Sequence, residues 1–248
     1  NRQHWINYEV GYWLNSKGKY KPGGLKYPEQ FKARTSDFII RRERKDVFPE
    51  LPDITRDFRY HEISADEMGA YKLGVKKLSD FLKHTNHKAP DFSSQLQGHI
   101  MVLRHITGLA KIHPVLEFID EMNENNPEGW KLPIFQYHQD VGDILEQHIK
   151  ERQIGYERIV SANDAMIRDG KRKRLREDPD CHILIVPLRA DSEGYDLDFC
   201  ETGLVLERDW NAVTEEQIEG RFIRATDEMI AKSKLGLCKP TILYPVAV

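Results

Sequence analysis

The fold is decided by the apolar run Cys181-His-Ile-Leu-Ile-Val-Pro-Leu188, which is too short for a typical helix and rich in branched residues. Such a run predicts a buried strand of a parallel sheet. It is followed by a polar turn over residues 189–197, a second apolar run, Gly203-Leu-Val-Leu206, and a helical pattern over residues 215–224. Because ligands of α/β sheets bind where strand ends and their loops converge, we expect a ligand site between Leu188 and Arg224.

The segment after Leu188 carries a glycine, one carboxylate and two guanidinium groups about one helical turn apart: Gly194, Asp196, Arg221 and Arg224. Arginine stays charged, and its planar fork matches phosphate oxygens. The set therefore suits a phosphate ligand, with both arginines exposed to it. A structural alternative is that the arginines pair along the chain with Glu219 or Asp227 and that the aspartate forms an ordinary Asx turn.

The overall composition says little about partners. The 248 residues carry 37 Lys and Arg against 40 Asp and Glu, so any contact with nucleic acid needs a local basic patch. The widely spaced Cys181, Cys200 and Cys238 predict reduced, packed thiols and an intracellular protein of the nucleus or cytoplasm. No apolar run is long enough for a bilayer, and no signal peptide is visible, so no membrane partner is expected. No metal site is expected either, because His84 and His87 lack further ligands nearby.

The N-terminal segment is aromatic and polar. Trp5, Tyr8 and Tyr12 follow a helical spacing, which predicts a packing face that ends at the break Lys21-Pro-Gly-Gly24. The chain begins at Asn1 without a methionine, which suggests part of a longer protein.

The next segment is predicted to be mainly helical. Alternation at Phe58 and Tyr60 predicts a short strand, and Ser64-Ala-Asp-Glu67 is a capping box that opens a helix. Further helical patterns cover residues 95–107 and 115–122.

From residue 131 onward, strand and helix patterns alternate. Strands are predicted at residues 131–137, 156–160 and 241–248, and a helix with six basic residues at 165–176. Strands that alternate with helices of this length predict a parallel sheet with right-handed crossovers.

Four motifs occur in a fixed order along the chain. They are Phe38-Ile-Ile-Arg-Arg-Glu-Arg-Lys-Asp-Val47, Gly194-Tyr-Asp-Leu197, Glu207-Arg-Asp-Trp-Asn211 and Gln217-Ile-Glu-Gly-Arg-Phe-Ile-Arg224. The last three resemble, in order and spacing, motif V, the Asp-x-x-Trp-Asn link and motif VI of the second RecA-like lobe of superfamily-two helicases of the Swi/Snf type. The first resembles the signature that leads toward this lobe.

The resemblance implies an α/β fold: a RecA-like parallel sheet flanked by helices and preceded by a helical segment. Residues 1–56 would be the tail of the first lobe and the segment between the lobes. Residues 57–128 would be a helical insertion that leads into the second lobe, and residues 129–248 the RecA-like second lobe itself.

The resemblance also implies half of an ATP site. The chain has neither a Walker lysine motif nor an Asp-Glu-x-His motif, so ATP and Mg²⁺ would be bound only in a full two-lobe enzyme, and the chain alone would not hydrolyse ATP. Arg221 and Arg224 would reach the γ-phosphate across the cleft, with Arg224 as the arginine finger. The nucleotide side of the site would also include Gly194, Asp196, Gln217 and Gly220.

The partners implied are the first lobe in cis and the backbone of double-stranded DNA, without sequence specificity. The residues expected to contact DNA are Arg41, Arg42, Lys171, Arg172, Arg189, Ser192 and Trp210. The basic helix predicted at residues 165–176 could equally expose its charges to water without contacting DNA. The family usually has two small residues where this chain has Asp191-Ser192, and Glu193 adds negative charge, so the coupling to DNA would differ from the family's. Two other classes stay open: a stand-alone DNA-binding module, and a protein-interaction lobe that docks through its aromatic N-terminus.

Overall fold

The computed structural model describes residues 10–14, 20–39, 44–126, 129–188, 195–209 and 211–248. The first part contains strands β1 (Val10–Leu14) and β2 (Tyr20–Leu25), which pair antiparallel. It continues with helices and one strand: α1 (Pro28–Thr35), α2 (Arg44–Val47), β3 (Thr55–His61), α3 (Ala65–His84), α4 (Phe92–Ala110) and α5 (Ile112–Asn125). The second part alternates: β4 (Leu132–Gln136), α6 (Gln139–Glu151), β5 (Gly155–Arg158), α7 (Ala165–Glu177), β6 (Cys181–Pro187), β7 (Thr202–Val205), α8 (Ala212–Glu219), α9 (Asp227–Lys234) and β8 (Thr241–Ala247).

The central sheet is parallel, as predicted. Within the described residues it contains six strands in the order β3-β8-β7-β4-β6-β5. The early strand β3 forms its edge beside the last strand, β8. The predicted α/β architecture is confirmed, because each parallel pair of neighbours needs a crossover that places helices on the faces of the sheet.

Successive residues of the strands feed two apolar layers. Along β6, Ile183 and Ile185 join one core cluster, whereas Leu184 and Val186 join the other. The first cluster includes the inner faces of α5 and α6, and the second includes residues of α7 and α8. A strand that is buried on both faces reads as a continuous apolar run, which is why the run from Cys181 identified it.

The helix start at Ser64 follows the capping box read from the sequence. The Ser64 hydroxyl accepts from the Glu67 backbone N–H at 3.3 Å, and the Glu67 carboxylate accepts from the Ser64 backbone N–H at 2.8 Å. These two reciprocal bonds satisfy donors that a helix start leaves without a partner.

The helical prediction for the N-terminal segment is wrong where it can be compared. Tyr12 lies in β1, and the expected break at Lys21–Gly24 lies within β2. Three aromatic residues at helical spacing are a weak signal, since aromatic side chains also favour strands and pairing with a second strand satisfies the backbone of both. Trp5 and Tyr8 lie outside the described residues.

The cysteines agree with the expectation of packed thiols. Cys181 and Cys200 are buried, and Cys238 is half-buried. Burial raises the pKa of Cys181 to about 11. None of the described helices is both long enough and apolar enough to cross a membrane.

Glu146 links α6 to β5 and gives stability a pH dependence. Arg158, Tyr156 and Lys150 donate to its carboxylate at 2.7, 2.9 and 3.0 Å. Burial favours the neutral acid, but the hydrogen bonds from these three side chains outweigh it and lower the pKa of Glu146 from 4.5 to about 2. Because the unfolded chain binds the proton first as the pH falls, the stabilisation present above pH 4.5 is lost on going towards pH 2.

We therefore expect Glu146→Gln to weaken the acid dependence of stability between pH 4.5 and 2. The measurement is the urea midpoint as a function of pH. The exposed Glu121→Gln serves as the control and should keep the steeper acid dependence. Equal pH dependence of the two variants would show that Glu146 does not carry this stabilisation.

Candidate functional site

The candidate arginines follow α8 and are not part of it. The helix ends at Glu219, and Gly220 still bonds four residues back to the Glu216 carbonyl. The following two backbone N–H groups bond only three residues back: Arg221 to the carbonyl of Ile218 at 3.0 Å, and Phe222 to that of Glu219 at 3.1 Å. The prediction of one helix up to residue 224 is therefore wrong. Phe222 is fully buried, and the chain leaves the helical path because this side chain packs into the core.

Phe222 also anchors the segment that carries the arginines to a face of the sheet. It packs on Gly203, where a Cβ atom would lie 2.3 Å from the Phe222 ring. Since Gly203 is the second residue of β7, the Phe222 ring packs over the first half of that strand. The arginines belong to the crossover from β7 to β8, which must bring the chain back across a face of the sheet before the next strand begins.

The same topology brings residues 195–197 to the arginines. They belong to the preceding crossover, from β6 to β7, which returns across the same core layer. The Leu197 backbone N–H donates to the carbonyl oxygen of Arg221 at 2.8 Å. The candidate site is therefore the meeting of two crossovers.

Arg224 is held by three acceptors and is still accessible. Its Nε donates to Asp196 Oδ1, its Nη1 to the Gly220 carbonyl at 3.2 Å, and its Nη2 to the Tyr195 carbonyl at 3.4 Å. The side chain remains 37% exposed. The structural alternative of pairing with Glu219 or Asp227 is not what the structure shows, because the carboxylate on Arg224 is that of Asp196. Such a fixed, half-exposed guanidinium can donate to a phosphate oxygen without further ordering.

Arg221 is buried, contrary to the expectation that both arginines are exposed. Only 8% of the residue is accessible. Its guanidinium lies 4.2 Å from the centre of the Tyr195 ring, and that of Arg172 lies 4.0 Å from the same centre. Contacts between guanidinium groups and an aromatic ring favour such burial, since arginine is weakly hydrated and stacks on aromatic faces. Of the two arginines, Arg224 is therefore the one placed to reach a ligand.

Two of the other predicted nucleotide-site residues lie on α8 or at its end. Gln217 is exposed on α8, and Gly220 is half-buried at its C-terminal end. Gly194 lies outside the described residues, as do the predicted DNA-contacting residues Arg41, Arg42, Arg189, Ser192 and Trp210.

The basic helix α7 is paired with carboxylates along much of its length. Lys171 Nζ donates to the Arg158 carbonyl, and Arg172 Nη1 donates to Asp169 Oδ1 at 2.9 Å. Further pairs join residues of this helix to acidic partners at 2.6 to 3.7 Å: Arg174 with Glu157, Arg176 with Asp198 and Lys173 with Glu177. A DNA-contacting role of Lys171 and Arg172 stays a prediction, and it would compete with these internal contacts.

A buried polar cluster at the carboxyl ends of β4 and β7 was not identified from the sequence. The side chain of Glu207 is fully buried and accepts from the backbone N–H groups of Tyr137 and His138 at 2.8 Å each, and from His138 Nδ1 at 2.5 Å. Lys111 Nζ donates to the Leu206 carbonyl at 2.7 Å. Burial lowers the pKa of Lys111 to about 8, against the opposing charge of Glu207. The sequence did contain a signal for this cluster, because the acidic residue Glu207 directly follows the apolar run Gly203–Leu206.

Helix α4 approaches this cluster closely enough to require a glycine. A Cβ atom at Gly108 would lie 2.8 Å from Glu207 Oε1. One turn earlier, the guanidinium of Arg104 lies 3.7 Å from the Tyr137 ring centre. The cluster thus fixes the helical segment to the strand ends. Among the residues that the structure describes, no group of three or more His, Cys, Asp or Glu is arranged to hold a metal ion.

The comparisons with known proteins agree on one class. No protein-family model matches the chain. In sequence it is similar to an uncharacterized ATP-dependent helicase of Mycoplasma genitalium, with 24% identity over 223 residues, and to human chromodomain-helicase-DNA-binding protein 6, with 29% identity over 150 residues. These matches cover 86% and 60% of this chain but only 21% and 5% of the two relatives.

Solved structures with a similar fold include the following two. The C-terminal part of the Fun30 ATPase domain matches with a TM-score of 0.62 and 15% identity, over 79% of this chain and 86% of that one. The Sulfolobus solfataricus SWI2/SNF2 ATPase core in complex with double-stranded DNA matches with a TM-score of 0.61 and 20% identity, over 91% of this chain and 48% of that one.

The fold is therefore that of a RecA-like ATPase lobe. More particularly, the chain is related to ATP-dependent helicases and to SNF2 and CHD proteins, and it matches the C-terminal lobe of their ATPases. The resemblance read from the four motifs is confirmed. The chain spans about a fifth of the length of the Mycoplasma relative.

Proposed function

We propose that the chain is the second motor lobe of an ATP-dependent translocase on double-stranded DNA, and that it completes the ATP site of a first RecA-like lobe through Arg224. The observation that carries this proposal is the fixation of the Arg224 guanidinium by Asp196, Gly220 and Tyr195 while the side chain stays half-exposed. The relatives that the chain matches are ATP-dependent helicases, which supports ATP as the nucleotide.

The residues present fit one side of a nucleoside triphosphate. Arg224 offers N–H donors to phosphate oxygens, and Asp196 keeps its guanidinium oriented. Because 49% of the Asp196 side chain is exposed, water screens the negative charge of Asp196, and the Arg224 charge is still felt by a ligand. The sequence has no Walker lysine motif, so ATP and Mg²⁺ would be held by the first lobe. When bound there, ATP supplies the phosphoryl group whose transfer develops charge, and a preorganised arginine stabilises that charge.

Double-stranded DNA is the proposed track. The matched Sulfolobus solfataricus ATPase core was solved in complex with double-stranded DNA. Lys171 and Arg172 are proposed to contribute phosphate contacts, with Arg41, Arg42, Arg189, Ser192 and Trp210 as further contacts. Such contacts position the duplex and carry no base code, so binding should be independent of sequence and sensitive to salt.

A triplex-displacement assay tests translocation directly. The protein used is the chain joined to a first RecA-like lobe, called the two-lobe protein below. It should displace a third strand from duplex DNA with ATP and fail to do so with a non-hydrolysable analogue or when the chain is tested alone. Duplex binding without displacement or ATP hydrolysis would contradict the motor and favour a stand-alone DNA-binding module. If the protein does not bind duplex DNA even at low salt, the remaining hypothesis is that the chain is a protein-interaction lobe.

A further inference from the structure

Helix α8 docks on the sheet mainly through carboxylates. Glu215 and Glu219 lie one turn apart on its inner face and are 8% and 6% exposed. Arg208 donates to both oxygens of Glu215 at 2.9 and 2.7 Å, and Arg56 donates to both oxygens of Glu219 at 2.6 Å. Tyr244 also donates to Glu219, at 2.9 Å. Bidentate pairs of this kind fix orientation as well as distance.

Apolar packing contributes little to the position of this helix. Within α8, all of which is described, Ile218 is the only buried apolar side chain. The arginine side chains of the two pairs are 54% and 52% exposed, so water screens the attraction and each pair adds little net stability. The two pairs are therefore better explained as devices that set where α8 lies than as sources of folding free energy.

The Arg56–Glu219 pair joins two functionally different segments. Arg56 lies on β3 and is the last residue of the segment that, by the proposed function, connects the two lobes. Residues of that segment, Arg44, Lys45 and Asp53, line one groove together with Glu219 and Gly220. Glu219 is the last residue of α8, and the carbonyl of the next residue, Gly220, accepts from Arg224 at 3.2 Å. A shift of Glu219 therefore moves one of the groups that hold Arg224.

We propose that Arg56 and Glu219 form a positioning pair that sets the end of α8, and with it Arg224, relative to the segment that connects the lobes. Arg56 touches no substrate and acts through Glu219 and Gly220. The catalytic consequence rests on the proposed function, whereas the structural consequence can be measured on the chain alone.

The structural arm compares amide hydrogen exchange in Arg56→Met and Arg152→Met. Arg152, directly after α6, donates to both oxygens of Asp120 on α5 at 2.8 and 3.1 Å; this pair involves no residue of α8 and is the matched control. Arg56→Met should accelerate exchange over residues 220–224 by about tenfold relative to the control, because local opening becomes easier. Arg56→Met leaves the Glu219 carboxylate buried without its partner, which could unfold the protein. The double variant Arg56→Met/Glu219→Gln removes that charge and should show the same local acceleration of exchange. Equal exchange over these residues in the Arg56 variants and the control would overturn the proposal.

The catalytic arm measures kcat and KM for ATP in the two-lobe protein. Arg56→Met should lower kcat by up to about 10²-fold with little change in KM, since misplacement by about 1 Å can have an effect of this size. Arg56→Lys, which keeps the charge, should restore part of the loss, and Arg152→Met should resemble the unmutated protein. If Arg224→Ala lowers kcat but Arg56→Met does not, the positioning pair is wrong while the proposed function stands. If Arg224→Ala has no effect, the proposed function fails, and hydrogen exchange alone decides the structural claim.

Discussion

Replacing Arg224 with alanine should lower kcat for ATP hydrolysis by the two-lobe protein by about three decades or more. The guanidinium is preorganised by Asp196, Gly220 and Tyr195, so it can stabilise developing charge without being reordered. Three decades correspond to about 4 kcal/mol, whereas a half-exposed ion pair contributes about 0–1 kcal/mol to stability. Loss of the contact with Asp196 alone therefore cannot produce an effect of the expected size.

The measurement is steady-state ATPase activity at saturating duplex DNA, with kcat and KM determined separately. An effect on kcat with little change in KM is the signature of a contact made in the transition state. Arg152→Ala, which removes an ion pair elsewhere on the lobe, is the control and should leave kcat unchanged. An Arg224→Ala protein with unaltered kcat would rule out this residue as the arginine finger.

Replacing Glu207 with alanine should lower the free energy of unfolding by about 3–5 kcal/mol. The carboxylate is fully buried and accepts two backbone N–H groups and the His138 ring. Its removal leaves those donors buried without an acceptor and takes away the opposing charge near Lys111. Each buried group left without a partner costs about 1–3 kcal/mol, so the loss exceeds that of an ordinary surface change.

Urea unfolding of the chain alone gives this free energy. Glu117→Ala is a suitable control, because the Glu117 side chain is 63% exposed and its substitution should change stability by about 0.5 kcal/mol or less. Glu207→Gln keeps an oxygen acceptor and should fall between the two. A loss below about 1 kcal/mol for Glu207→Ala would show that the cluster does not depend on this carboxylate.

Much of the fold follows from local patterns. Continuous apolar runs of the length of β6 identify strands buried on both faces, and their alternation with helical patterns fixes a parallel sheet. The capping box at Ser64 was readable because its two partners are three residues apart. Asp196, Arg221 and Arg224 could be singled out because the motif spacing is local, and the structure brings them together.

The remainder depends on contacts distant in sequence. The end of α8 is set by Phe222 packing on Gly203, and its position by Arg56, which is 163 residues away from Glu219. Burial of Arg221 depends on the ring of Tyr195, which arrives from a different crossover. Periodicity carries no information on such pairs, since it reports which face of an element is buried but not against what.

The most direct test of the central claim is complementation of the ATP site. ATP hydrolysis is measured with duplex DNA for a first RecA-like lobe alone, for this chain alone, and for the two joined. Either part alone should show negligible turnover and the joined protein DNA-stimulated turnover, because the first lobe lacks the arginine finger and this chain lacks the Walker lysine motif. Equal turnover by the first lobe with and without the chain would contradict the claim that the chain completes the site.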